Sequence, residues 1–154
     1  MRNFGLFLSS VLVTFPLVSC GPTSESTRRQ TSTTVSVDSN SGGDESIGGA
    51  RGLFDMVVND GVDATTGDNT DYKYFDIDER GSVTIRIRFQ QVGVTGSVAI
   101  HNDYGDILHN QGISPEEQEV RIEDFDVLPG RYYVSLSIRE GRADYAIGRE
   151  FTAA

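Results

Sequence analysis

In the stretch SVTIRIRFQ, Val83, Ile85, Ile87 and Phe89 alternate without a break with Thr84, Arg86, Arg88 and Gln90. Side chains that alternate with period two lie on opposite faces of a β-strand, so this segment has one apolar face and one wet face. A helix would need apolar spacings of three and four, and would scatter these isoleucines around its circumference. The stretch RYYVSLSIR repeats the pattern, with Tyr132, Val134, Leu136 and Ile138 on one face and Tyr133, Ser135 and Ser137 on the other. Each strand must lay its apolar face on something, and a second sheet is the simplest cover.

Shorter strands are expected over residues 53–58, 72–77, 97–101, 106–108, 118–122 and 143–151. The turns between them agree. Pro129-Gly130 fits a type II turn, with Gly where φ is positive, and Gly105 in NDYGD sits between two short strands as in a hairpin loop. Ser114-Pro115-Glu116-Glu117 suits the start of a single helical turn, Ser at the N-cap and Pro at the first position. No window shows a convincing amphipathic helix. The expectation is an all-β chain with one antiparallel β-sandwich at residues 51–154. A domain of about 100 residues buries roughly two-thirds of its unfolded surface, enough for a core without disulfides.

Ahead of that domain the composition changes twice. Met1-Arg2-Asn3 is followed by an uncharged, largely apolar run from Phe4 to Ser19, and then by Cys20, the sole cysteine. A cation, an apolar core and a small residue at the break are the parts of a secretory signal. The run is too short, and too interrupted by Ser9, Ser10, Thr14 and Pro16, for the roughly 20 apolar residues of a spanning helix. A lone cysteine in an exported chain has no partner for an internal disulfide. From Pro22 to Ala50 twelve of 29 residues are Ser or Thr, and only Val35, Val37 and Ile47 are sizeable apolar residues. Such a segment buries too little to offset its ordering entropy, so residues 20–50 are expected to be a disordered tether, spanning roughly 30 Å as a coil.

Leu17-Val18-Ser19-Cys20 resembles the bacterial lipobox. The resemblance implies a signal peptide at residues 1–19, cleavage after Ser19 and a diacylglycerol on the Cys20 thiol, often joined by N-acylation. Two or more acyl chains hold a protein stably in a bilayer where one does not. The expected location is therefore the bacterial cell envelope, anchored by lipid; Gly21 after the cysteine favours the outer membrane by analogy with enterobacterial sorting.

The domain carries 19 Asp and Glu against 10 Lys and Arg. That balance argues against nucleic acid, whose phosphates demand a cationic face, and against direct docking on anionic lipid.

Three further pieces, DNTDYKYFDIDERGSVTIRI, GSVAIHNDYGDIL and VLPGRYYVSLSIREGRADYAIGREF, fall in one order. Together they resemble the bacterial pre-peptidase C-terminal domain. Asp71-Tyr72 with Phe75 and Ile77, Gly81 before Val83, Asp103 with Gly105, Pro129-Gly130 with Tyr132-Tyr133-Val134, and a closing Tyr145 carry the likeness over residues 68–151. It implies a small, single antiparallel jelly-roll-like sandwich. The family usually follows a secreted protease, and no protease precedes the domain in this chain.

Between Asp55 and Glu79 lie eight acidic residues and one lysine. Hard cations take six to eight oxygen ligands, which Asp, Asn and loop carbonyls supply. Asp60, Asp63, Asp68 and Asp71 are accordingly a candidate calcium set, and the resemblance implies calcium near the domain's N-terminal edge in some members. The same residues are common turn-formers, and the EF-hand order is absent, so solvated turns are the other reading. His101 and His109 flank HNDYGDILH; exposed strand-end histidines are the plainer expectation than a metal pair. No G-x-S-x-G elbow occurs, neither histidine has a recognisable serine and acidic partner, and no insertion is long enough to wall a pocket. The expectation is a non-catalytic protein with no cofactor, calcium at the acidic set being the alternative. Tyr72, Phe75, Tyr132 and Tyr145 are expected in or beside the core, which leaves Tyr104 at a hairpin tip and Tyr133 on an outer face as exposed ligand-binding candidates. The expected partners are the bilayer through Cys20 and an envelope protein or glycan.

Overall fold

The computed structural model describes residues 43–54 and 57–154. Cys20, the expected signal peptide and the tether up to residue 42 lie outside the described residues.

A single 3-10 turn at Ile47–Gly49 precedes nine strands: β1 (Arg51–Gly52), β2 (Val58–Asp63), β3 (Thr70–Ile77), β4 (Gly81–Phe89), β5 (Thr95–His101), β6 (Ile107–Ile113), β7 (Glu119–Val127), β8 (Gly130–Glu140) and β9 (Arg142–Ala153). They form a five-stranded sheet, in the order β1-β3-β8-β5-β6, and a four-stranded sheet, in the order β2-β9-β4-β7. Every connection except the β5–β6 hairpin crosses from one sheet to the other, which gives the jelly-roll-like weave. All pairings are antiparallel except the two-residue β1, which runs parallel to β3.

The alternation in β4 sets the core. Val83, Ile85, Ile87 and Phe89 are buried and face Phe75, Val98, Ile100, Val134, Leu136 and Ile138 of the opposite sheet, all in one apolar cluster. Thr84, Arg86 and Arg88 point away from it. There Arg88 pairs with Glu119 at 2.7 Å and Arg121 with Glu123 at 3.2 Å, a ladder of exposed ion pairs along the outer face of β4 and β7. The β4–β7 register slips between Val83 and Ile85, where Asp124 takes φ 48°. Asp is among the few side chains that tolerate that conformation.

Four local expectations are corrected. Residues ahead of Arg51, expected as tether, pack on the sandwich: Asp44 is fully buried, its carbonyl accepts the Tyr72 N–H at 2.7 Å, and Leu53 donates to the Tyr74 carbonyl at 2.6 Å. Residues 43–53 thus run along the free edge of β3 as a strap, held by backbone bonds that a Ser- and Gly-rich composition does not advertise. The strand expected at 53–58 is instead β2, Val58–Asp63, so that NDGVD is strand and not turn. At Pro129-Gly130 the glycine has φ 152°, far from the roughly 80° of a type II turn. The Tyr132 hydroxyl closes this corner instead, donating to the Leu128 carbonyl at 3.1 Å and accepting its N–H at 3.0 Å. Residues 114–117 make one hydrogen-bonded turn and no helix: the Glu117 N–H donates to the Ser114 carbonyl, and the Glu117 carboxylate accepts the Ser114 N–H at 2.7 Å.

Candidate functional site

Two places in the fold concentrate chemistry. The first is inside. In β3 the inward face reads Asp71, Lys73, Phe75, Ile77, so alternation drives one acid and one amine into the sandwich beside its apolar residues. In β2 the inward face includes Asp60, which pairs in register with Tyr145 of β9. The strap adds Asp44. These groups meet: the Lys73 ammonium, 1% exposed, donates to Asp44 Oδ2 at 2.5 Å and to Asp60 Oδ2 at 2.6 Å. Arg51 stands at the rim, half exposed, 3.5 Å from the Asp44 carboxylate and 3.9 Å from that of Asp60. The Tyr145 hydroxyl, itself buried, donates to Asp71 Oδ2 at 2.6 Å.

Burial pushes the Asp71 carboxyl up to about 7, against the opposing pull of the Tyr145 hydroxyl and the Lys73 charge. Burial likewise pushes the Tyr145 phenol well up, with the Asp71 charge adding to it. One oxygen of Asp44 and one of Asp71 are buried without a hydrogen-bond partner.

Carboxylate oxygens of Asp44, Asp60 and Asp71 lie within 4.8 Å of one another, a spacing at which three acids can hold a metal ion. The Lys73 ammonium already stands at metal-like distance from two of them, since Ca²⁺–oxygen contacts are about 2.3–2.6 Å. A dication on those same oxygens would collide with it.

The structure therefore divides the calcium set read from the sequence. Asp60 and Asp71 come together, with Asp44 as their third member. Asp63, the last residue of β2, and Asp68 flank the turn that follows β2 and are bridged to each other through backbone. Asp63 Oδ1 accepts the Thr65 hydroxyl at 2.6 Å and its N–H at 2.8 Å, which holds the carboxyl below its usual range. The acidic run is one interior cluster and one capped turn. Asp44 and Lys73 were missed from the sequence, although a charge at Lys73, on the apolar side of a period-two strand, is a readable signal.

The second place is the end of the sandwich where the β5–β6 hairpin and the β7–β8 corner meet. An open cleft of about 350 Å³ is lined there by Asn102, Asp103, Tyr104, Leu108, Leu128 and Arg131, among others. Tyr104 is 89% exposed, and Leu108 and Leu128 are also largely uncovered. The hairpin beneath Tyr104 is tightly tied. Asn102 Oδ1 accepts the N–H groups of Tyr104 and Asp106, and Gly105, at φ 86°, makes the reversal that other side chains resist. From below, His101 bonds the Gly105 carbonyl at 3.2 Å through Nδ1 and the Ser135 hydroxyl at 2.9 Å through Nε2. Arg131 chelates Asp76 at 2.7 and 2.8 Å and stacks on the Tyr74 ring at 4.3 Å.

Tyr104 is exposed as expected; Tyr133 is not. It is 9% exposed because β8 is central in its sheet, so its outward face is walled by neighbours on both sides. His101 is buried rather than an exposed strand end, its ring 5.6 Å from that of Tyr72. His109 packs on Phe125 at 6.2 Å, on a different partner from His101. Tyr72 lies half-buried on the outer face of β3, while Phe75 and Tyr145 are core and Tyr132 stacks on Phe75 at 5.6 Å.

No protein-family model matches the chain, and no curated protein matches it by sequence. Among solved structures it is similar to the pre-peptidase C-terminal domain of a collagenase from Bacillus anthracis, with TM-score 0.53 and 17% identity over 66% of this chain and 94% of that one. It is also similar, with TM-score 0.37 and 14% identity, to a fucose-binding module of Streptococcus pneumoniae, over 64% of this chain and 72% of that one. The second superposition is too loose to carry an argument. The first shows the fold: an all-β sandwich of two packed sheets.

Proposed function

We propose that this chain is a lipid-anchored protein of the bacterial cell envelope whose β-sandwich is non-catalytic and binds or scaffolds a second envelope component, a protein or a glycan, through the Tyr104 cleft. The observation that carries the binding reading is the exposure of Tyr104 on a hairpin fixed from both sides. An aromatic side chain held rigidly in water gives contact area at little further entropy cost, and exposed apolar neighbours such as Leu108 and Leu128 extend it. Cys20 supplies the anchor through the lipobox pattern, and Gly21 favours the outer membrane. The calcium-dependent variant of this reading rests on the two buried carboxylate oxygens of Asp44 and Asp71 that lack a partner. It would set a dication beside the buried Lys73 ammonium, which already neutralises Asp44 and Asp60 through their other oxygens, and we do not adopt it.

Two variants test the reading. Cys20→Ser should leave a soluble or unprocessed form in place of mature, detergent-partitioning protein; mature-sized protein that still fractionates with membranes would overturn the anchor. Tyr104→Ala combined with Leu128→Ser should lose whatever the wild type captures when crosslinked in native envelopes, with thermal stability unchanged. Capture of the same partner at equal yield would place binding elsewhere.

A further inference from the structure

We infer that Lys73 is the resident cation of the Asp44–Asp60–Asp71 cradle, and that through it the strap is clamped to the sandwich without a metal ion. The three carboxylates come from three separate pieces: the strap, β2 of the four-stranded sheet and β3 of the five-stranded sheet. All three residues are at most 5% exposed. Buried carboxylates gathered from separate segments repel unless a cation stands between them. The Lys73 ammonium stands there, 2.5 Å from Asp44 and 2.6 Å from Asp60, and is as deeply buried as they are. It reaches across the sandwich from one sheet to an acid of the other and at the same time holds the strap. Calcium on Asp44 Oδ2 and Asp60 Oδ2 would occupy the ammonium's space, and calcium on the remaining oxygens would stand beside a buried positive charge, so a covalently tethered amine here opposes the ion that such a cradle otherwise attracts.

The strap matters to more than its own edge. The Ile47 side chain lies against Gly105, where an added Cβ would meet Ile47 Cδ1 at 3.0 Å. The clamp therefore also seats the turn that abuts the Tyr104 hairpin.

The intact protein should melt at the same temperature in excess CaCl₂ and in EDTA. In Lys73→Met the cradle has three acids and no central cation, so trypsin should cut after Arg51 roughly tenfold faster or more than in the wild type. Added CaCl₂ should slow that cut again, because the vacated acids now accept a dication. A wild type that loses stability in EDTA would show a resident metal and overturn the inference. Lys73→Met with Arg51 still protected in EDTA would overturn the clamp. If Lys73→Met does not fold, the wild type decides by NMR. The Lys73 ammonium protons should exchange slowly enough to be seen and should stay unmoved by CaCl₂; an ammonium averaged with solvent, or shifted by calcium, would contradict the inference.

Discussion

Asp71 shows what one residue contributes when strand alternation turns a carboxyl inward. Its folded value is raised to about 7 from an ordinary 3.8, mainly by burial. A raised acid stabilises the fold fully below its unfolded value and loses that contribution as pH climbs through the folded value. The wild type should therefore lose stability between about pH 4 and 7, by on the order of 4 kcal/mol at about 1.4 kcal/mol for each pKa unit. Asp71→Asn keeps an acceptor for the Tyr145 hydroxyl and removes the titration. Urea midpoints measured across that range should fall for the wild type and stay flatter for the variant. Parallel curves would mean that Asp71 is ionised throughout and that its burial is compensated by Lys73. Asp44 was harder to foresee than Asp71: it sits among glycines and serines, and nothing in its neighbourhood shows that an amine 29 residues later, in β3, is waiting for it.

At the scale of elements, β4 carries the test of register. Ile85 and Ile87 are each 1% exposed, so truncating either to Ala should cost about 2–5 kcal/mol through lost burial and the cavity left behind. Arg88→Ala, on the wet face, should leave the denaturation midpoint nearly unmoved. A one-residue slip would exchange the two faces, so large losses at Arg88 with small ones at the isoleucines would overturn the assignment. The strands with clean alternation, β4 and β8, were legible in the sequence because burial on one face writes itself into every second residue. The strand β2 was not, because VNDGVD has the composition of a turn; it is a strand through its pairing with β9, and its inward acid meets Lys73 across the sandwich. The ends of β6 and β7 ran past expectation for a related reason. Each is an edge strand whose later half buries only its last residue, Ile113 or Val127, and such a strand leaves a weak pattern. The cleft was half legible: the hairpin tip and Tyr104 could be read from NDYGD, whereas Leu128 and Arg131 reach it only through the packing of a corner 22 residues further on.

Taken whole, the described domain is a weave of two sheets whose open edge is closed by a segment that looks, from composition, like tether. That closure is the claim on which the interior cluster, the strap and the seating of the Tyr104 hairpin all depend. It is tested most directly by comparing the chemical denaturation of residues 43–154 with that of residues 51–154. Removing residues 43–50 takes away Asp44 and leaves Lys73 with one acid fewer in a buried setting, a loss of about 3 kcal/mol or more by analogy with broken buried pairs. The longer chain should show the higher midpoint at an unchanged denaturant slope. Equal midpoints for the two would contradict the account, and would return residues 43–50 to the tether.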